Sequence, residues 1–389
     1  MSDRRKKGKN SADIFFIIAY ASFFLSLFIS DIYPVTDMLE TVSRSMRMVT
    51  YVSSIVAFMQ SGFKRKNIFI IMAMLAICGI YLAVTKDAYL LSLVILIYSG
   101  RNCDTKKLFN IGFFLLLIGT IITILLMLIG VLPDRMVSKA FSYDLSRHSM
   151  GFYHSDVLPG IILYLHVFYV WTHNEKLTYK TLVTFVLLHC VAYYYCHSRV
   201  CFLVGILFSF LLYLTRKRVK PTLRKIVNII SKYVAVFCSI ISIAGMLLVK
   251  SAAWLYKFDI ALSFRLRYAS MKMERIGLHF INFMDNETYY GTDDFAVDNG
   301  YLFITLRFGI LFVLALIMIN VLLSKKNADS TVIQLCMIAV FVAGFIDNEF
   351  LSYGFLPVII SSLKDINILN ITARQRHMSG RGGATVPVT

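Results

Sequence analysis

Long apolar runs recur from near the N-terminus almost to the C-terminal end, and no separate soluble domain fits between them. A run of about 20 apolar residues is what a bilayer-spanning helix requires. The chain has 389 residues, of which 58% are hydrophobic, and its mean hydropathy is +0.70. A soluble helical core of this size is excluded, because no face is left to meet water. Spans are read near 12–31, 42–62, 67–85, 88–100, 108–132, 155–172, 181–197, 200–214, 226–250, 299–323, 331–350 and 351–363. The expected fold is therefore an all-α polytopic integral membrane protein with about twelve transmembrane helices. The fourth and last runs are short, and a re-entrant segment or a helix continuing into a loop is the alternative for each.

The formal net charge of +18 raises nucleic acid as a partner, but its placement argues against one. Basic clusters punctuate the apolar runs: Arg4 to Lys9, Lys64-Arg65-Lys66, Arg101 with Lys106 and Lys107, Lys176 with Lys180, Arg216 to Lys225, Lys325-Lys326, and Arg374 with Arg376. They fall at every second segment between spans, which is the positive-inside pattern. Both termini are then expected in the cytoplasm, and the charge sets orientation in a lipid bilayer. The first run follows a basic head and lacks a small-residue cleavage site, so it reads as an uncleaved anchor. The seven cysteines show neither a CxxC nor a Cys/His spacing, so neither a disulfide framework nor a metal site is expected.

The apolar stretch 181–215 is far too long for one upright helix at about 1.5 Å per residue. A single tilted span would also put the Arg216 cluster on the outer side. Two short spans meeting at His197-Ser198-Arg199 keep that cluster inside and bring Arg199 near the outer surface. Two external segments are long: 133–154 and 251–298, the second lying between the spans near 250 and 299. The membrane domain is thus read as 1–365. Residues 366–389 form a flexible cytoplasmic tail, and from His377-Met378 onward the tail is a candidate expression remnant. No internal repeat is evident.

Arg147, Arg199, Arg265 and Arg267 all fall on outer segments, where the positive-inside pattern predicts few arginines. A guanidinium stays charged at any ordinary pH and its planar fork suits phosphate and pyrophosphate. Each arginine taken singly is adequately explained by snorkelling to lipid headgroups. Four together favour a shared anion site.

The residues around these arginines resemble a known family. Arg147-His148-Ser149-Met150-Gly151-Phe152-Tyr153-His154-Ser155-Asp156 resembles the Arg-x-x-x-Gly-Phe-x-His-Pro-Asn segment of Wzy-type polysaccharide polymerases. His197-Ser198-Arg199 resembles the Thr-x-Ser-Arg element of polymerases and O-antigen ligases. Ser263-Phe264-Arg265-Leu266-Arg267-Tyr268 resembles the Gly-Arg element preceding an amphipathic helix in their large external loop. Asp298-Asn299-Gly300-Tyr301-Leu302, with Leu306 and Gly309, resembles the His-Asn-x-Tyr-Leu…Gly element that opens the following span. Ser155-Asp156 stands in place of Pro-Asn, Phe264 in place of Gly, and Asp298 where the ligases carry His. The resemblance covers residues 140–325 and extends elsewhere only to topology and length.

That resemblance implies a GT-C-like, metal-independent glycosyltransferase of the bacterial cytoplasmic membrane, needing no cofactor. The substrates it implies are undecaprenyl-pyrophosphate-linked oligosaccharides, polymerised into capsule, exopolysaccharide or O-antigen on the outer face. A flippase and a chain-length regulator are the protein partners it suggests. Arg199 and Arg265 are the expected pyrophosphate ligands, with Arg147 and Arg267 in support. The candidate general bases are Asp298, His148 and His154, in that order. The bland alternatives are that Asp298 caps the helix beginning at Asn299 and that both histidines are merely solvated. His166, His189 and His279 read as structural, Asp293-Asp294 as a turn, Asp347-Asn348-Glu349 as a loop, and Tyr193-Tyr194-Tyr195 as an interface belt. An O-antigen-type ligase is the alternative within the same chemistry. A lipid-linked oligosaccharide flippase is the alternative outside it, although paired repeats would be expected there.

Overall fold

The computed structural model describes residues 2–34, 36–60, 68–86, 89–139, 142–174, 177–216, 221–261, 264–284, 289, 297–345, 353 and 355–363. The expectations that rest on Lys64-Arg65-Lys66, Asp293-Asp294, Asp347-Asn348-Glu349 and the tail beyond 363 lie outside them. The described chain is predominantly helical. In order the helices are α1 (Ser2–Ser30), α2 (Asp37–Gln60), α3 (Ile68–Thr85), α4 (Tyr89–Ser99) and α5 (Thr105–Leu128). A short antiparallel hairpin follows, β1 (Met136–Lys139) with β2 (Ser142–His148), in which Val137 pairs with Arg147. Then come α6 (Val157–His173), α7 (Tyr179–Cys196), α8 (Arg199–Arg216), α9 (Pro221–Leu248), α10 (Ala253–Ala261) and α11 (Arg265–Ile276). The last are α12 (Gly300–Arg307), α13 (Ile310–Lys326), α14 (Thr331–Ala343) and α15 (Phe355–Leu363).

Unlike in a soluble bundle, large apolar side chains face outward as well as filling the core. On α2 the inward face carries Ser43, Thr50, Ser53, Ser54 and Ala57, while Met38, Val52, Ile55 and Met59 point outward. Ser43 Oγ donates to the Ser26 carbonyl of α1 at 2.9 Å, so small polar residues let two backbones approach closely. On α5 the outward residues are Phe114, Ile118, Ile121, Leu125 and Leu128. Its Gly112 lies where a Cβ would come within 2.9 Å of the Phe168 ring, which brings α5 against α6. Such outward apolar faces need lipid rather than water. Among the described residues, three helical segments, Ser11–Ser30, Thr105–Leu128 and Pro221–Leu248, are long and apolar enough to cross a membrane.

α6 is the axis of the bundle. Nearly every side chain from Leu158 to Trp171 is buried, and Phe109 of α5 stacks on Trp171 at 4.5 Å between centroids. Pro159 sits in the first turn, where a missing N–H breaks no helical hydrogen bond. The stretch 181–215 divides into α7 and α8, and His197 makes the turn in the left-handed conformation (φ 51°).

One expectation is corrected. The run 299–323 is not one helix: it breaks between α12 and α13 at Phe308-Gly309, with Gly309 at φ 100°. Chain from the preceding segment fills the break. Asn282 Nδ2 donates to the Leu306 carbonyl (2.7 Å), its N–H to the Phe308 carbonyl (3.0 Å), and the Leu311 N–H donates to the Phe280 carbonyl (3.0 Å). A Cβ at Gly309 would lie 2.6 Å from the Phe280 oxygen, so only glycine fits. The long hydrophilic segment 251–298 contains α10 and α11, and α11 follows the Arg265 element as the resemblance implies.

Candidate functional site

The site grows from the start of α6. The chain between Asp134 and Asp156 is fixed backbone to backbone and side chain to backbone. Asp134 Oδ1 accepts the Met150 N–H (2.9 Å), Ser149 Oγ accepts the Arg135 N–H (3.0 Å), and the Ser149 N–H returns to the Arg135 carbonyl (3.1 Å). Consecutive left-handed residues, Met150 (φ 55°) and Gly151 (φ 85°), then turn the chain toward α6. The segment after α1 holds this turn: the Tyr33 N–H donates to the Gly151 carbonyl (3.1 Å) and the Tyr153 N–H to the Asp31 carbonyl (2.8 Å). The start of α6 and the end of α1 therefore share one pole of the bundle.

Asp156 precedes α6 but does not cap it with its side chain. The carboxylate is turned instead to Arg265, whose Nη2 is 3.1 Å from Asp156 Oδ2. The Ser198 hydroxyl, just ahead of α8, favours the charged form of the same carboxylate. His154 Nδ1 lies 3.7 Å from Asp156 Oδ2. On its other side Arg265 Nε is 3.6 Å from Asp298 Oδ2. One guanidinium thus joins two carboxylates, and the three side chains range from well buried (Arg265, 15% exposed) to half-exposed (Asp298, 41%).

Four helices begin in this contact network: α6 after Asp156, α8 after Ser198, α11 at Arg265 and α12 after Asp298-Asn299. Helix N-termini carry the positive end of the backbone dipole, so their convergence favours anions. The two carboxylates respond differently. Burial raises the Asp156 carboxyl, but Arg265, His154, the Ser198 hydroxyl and Arg147 outweigh it, and the net effect holds the group below the ordinary carboxylate range. Asp298 is pushed up, first by burial and also by the charge of Asp156, with Arg265 and His154 opposing. A pair of acids driven apart in this way can divide the roles of fixed charge and proton carrier.

The alternative role for Asp298 does not hold, because Asn299 caps α12. Asn299 Oδ1 accepts the Leu302 N–H (3.0 Å), and its Nδ2 donates to Ser242 Oγ of α9 and to the Phe345 carbonyl, each at 2.9 Å. Asp298 is left turned toward Arg265. α11 is capped from a distance: Asp259 of α10 accepts the Leu266 N–H (2.9 Å) on one oxygen and the Arg267 N–H (3.0 Å) on the other. Phe264 immediately before α11 is left-handed (φ 62°), the conformation glycine adopts most readily.

The remaining expected residues are placed unevenly. Arg147, on β2, acts electrostatically on Asp156, and its Nε is buried without a hydrogen-bond partner among the described residues. Arg199 opens α8 beside Ser198; its side chain is exposed and makes no hydrogen bond or ion pair among the described residues. Arg267 is held away from Asp156 and Asp298, its Nη1 on the Tyr256 hydroxyl at 3.2 Å. His148 pairs instead with Asp134, Nδ1 to Oδ2 at 2.5 Å, with its ring edge-on to Tyr195. Among the described residues no group of three or more His, Cys, Asp or Glu side chains is gathered as a metal site.

Sequence reading passed over four residues that the structure makes prominent. Asp156 carried one signal, an acid where the resembled segment has Asn, and Ser198 carried another as the Ser of the Thr-x-Ser-Arg element; Asp259 carried none. Arg307 was also missed: it is buried, with Cζ 5.3 Å from the Phe303 ring centroid. Compared with known proteins, the chain matches no family model, no curated protein and no solved structure.

Proposed function

We propose that this pole is the active site of a glycosyltransferase that polymerises undecaprenyl-pyrophosphate-linked oligosaccharide repeat units into surface polysaccharide. The observation that carries the reading is the Arg265 guanidinium, set among four helix N-termini between Asp156 and Asp298. The implied orientation puts this pole outside. The described basic clusters support it, because Arg216 ends α8 and Lys325-Lys326 end α13, at the ends away from Arg265. In this reading the helices span the bacterial cytoplasmic membrane about twelve times.

The chemistry follows from the charges. A sugar hydroxyl of the acceptor attacks the anomeric carbon of the donor, and Asp298 takes the hydroxyl proton. The new bond is carbon to acceptor oxygen, and the bond broken joins the anomeric carbon to the pyrophosphate oxygen. Undecaprenyl pyrophosphate leaves with the electron pair, and its growing charge meets Arg265, Arg147 and Arg199. Preorganised donors at the developing charge are the largest single source of rate in reactions of this type. General-base assistance adds about 10²–10⁴-fold. Arg267 supports α11 rather than the pyrophosphate, and His148 and His154 are secondary acid–base groups. A flippase and a chain-length regulator remain the protein partners this reading suggests.

The test is product length. Membranes containing the full chain, given lipid-linked repeat units, should yield a ladder of glycans. Arg265→Ala should lower the yield by about a hundredfold or more, with Arg265→Lys restoring part of it, since lysine keeps the charge without the fork. Transfer of a single block to a different acceptor would instead indicate a ligase. Movement of unchanged substrate across the bilayer would indicate a flippase.

A further inference from the structure

The reaction above uses Arg265 and Asp298 but leaves Asp156 without a task. Its environment is unusual for an acid at a helix start. The carboxylate makes no cap for α6, although an Asp there commonly does so. A donor from a remote helix reaches it instead, Arg265 Nη2 of α11 at 3.1 Å, and the Ser198 hydroxyl ahead of α8 favours its charged form. The Asp156 N–H is engaged as well, donating to His154 Nδ1 at 3.3 Å. The side chain is thus fixed at one edge of a guanidinium whose Nε lies 3.6 Å from Asp298.

We propose that Asp156 is a positioning residue for proton transfer at Asp298: it holds Arg265 by one edge and, as a second negative charge on that cation, sets how readily Asp298 accepts a proton. The inference rests on the proposed polymerase chemistry and names a group that chemistry did not need. Its physical basis is sharing. A lone carboxylate beside Arg265 would have the whole cation to itself and would be a poor base. With Asp156 already taking the shorter contact, only part of that stabilisation reaches Asp298, and the repulsion between the two acids favours its protonated form. The charged and titratable groups that bear on Asp298 are Arg265 from α11 together with His154 and Asp156 from the segment before α6. The directions of the two carboxyls, Asp156 down and Asp298 up, agree with this division.

The experiment uses the full chain in lipid nanodiscs. Protonation of Asp298 is followed by pH-difference infrared spectroscopy, and its carboxyl band is identified by its loss in Asp298→Asn. Polymerisation is measured across the same pH range. In Asp156→Asn the midpoint of that band should move to lower pH, and the acid limb of the polymerisation rate should move with it. Asp156→Glu, which restores the charge, should return both toward wild type. The polymerisation rate at the wild-type optimum should fall by about tenfold in Asp156→Asn as Arg265 loses its anchor. An unmoved or raised midpoint in Asp156→Asn, with glycan ladders still formed by the wild type, overturns the role of Asp156 and leaves the polymerase reading standing. If the midpoint moves but wild type forms no ladder, the polymerase reading falls and the role in catalysis falls with it, while the coupling between the two acids stands.

Discussion

Arg265 derives its placement from two other residues. Asp259 accepts the N–H groups of Leu266 and Arg267 and so holds the first turn of α11, while Asn299 pins α12 and leaves Asp298 facing the guanidinium. Asn299→Ala would remove the cap and leave the Leu302 N–H and the Phe345 carbonyl without it. The expected cost is about 2 kcal/mol, read as a lowered unfolding temperature in detergent. Asp259→Ala should loosen α11 and lower polymerisation without touching substrate; activity that survives intact would show that α11 is held by packing alone. The pH behaviour follows from the signs. The folded Asp156 carboxyl is depressed, so its stabilisation is present above the unfolded carboxylate range and is lost as pH falls through the depressed value. The folded Asp298 carboxyl is raised, so its contribution is full below the unfolded range and is lost as pH rises through the raised value. As the proposed base, Asp298 must be ionised. Polymerisation should therefore decline on acidification through a midpoint above the ordinary carboxylate range, and Asp298→Asn should abolish that dependence along with most of the rate.

At the scale of elements, the broken helix α12–α13 is the main device. A continuous helix from 300 to 326 would leave the 279–282 segment without its backbone partners. The break frees the Leu306 and Phe308 carbonyls and the Leu311 N–H, and that segment uses all three. Unpaired backbone is tolerated at membrane depth only where protein satisfies it, which this arrangement does. Gly309→Ala would drive a Cβ into the Phe280 carbonyl while Gly309 is held at φ 100°. It should cost about 1–3 kcal/mol or more and disturb α12, the helix that carries Asp298 at its start. Lowered thermal stability together with reduced polymerisation would confirm the link; an unaffected protein would show that the break can be rebuilt.

For the molecule as a whole, the decisive property is that the acids and arginines of the site gather at one pole and the chain's described basic clusters at the ends away from it. The polymerase reading requires the site pole to face outward. Cysteine placed at Tyr153, which is 52% exposed beside His154, should be labelled in intact cells by a membrane-impermeant thiol reagent. Cysteine placed at Asp329, fully exposed in the turn before α14, should be labelled only after permeabilisation. The reverse result would place the site in the cytoplasm and exclude polymerisation on the outer face.

The helical, lipid-facing character of the chain is legible from its sequence, as are the two-helix division at His197-Ser198 and the segments that carry the arginines. Those properties come from hydropathy and charge summed over neighbouring residues, and a linear reading can sum them. What the sequence could not decide is which remote groups meet. It ranked Arg199 with Arg265, yet only Arg265 is bridged to two acids, while Arg199 lies exposed and Arg267 is drawn to Tyr256. It left Asp298 between a cap and a base, and the cap turned out to be Asn299, whose other partners lie 57 and 46 residues away in α9 and beyond α14. It read one span where the structure has two helices, because the bonds that stabilise the break come from a separate segment. The tertiary structure decides these points because a hydrogen bond or ion pair has an energy only at a particular distance and direction, and folding alone brings those atoms together.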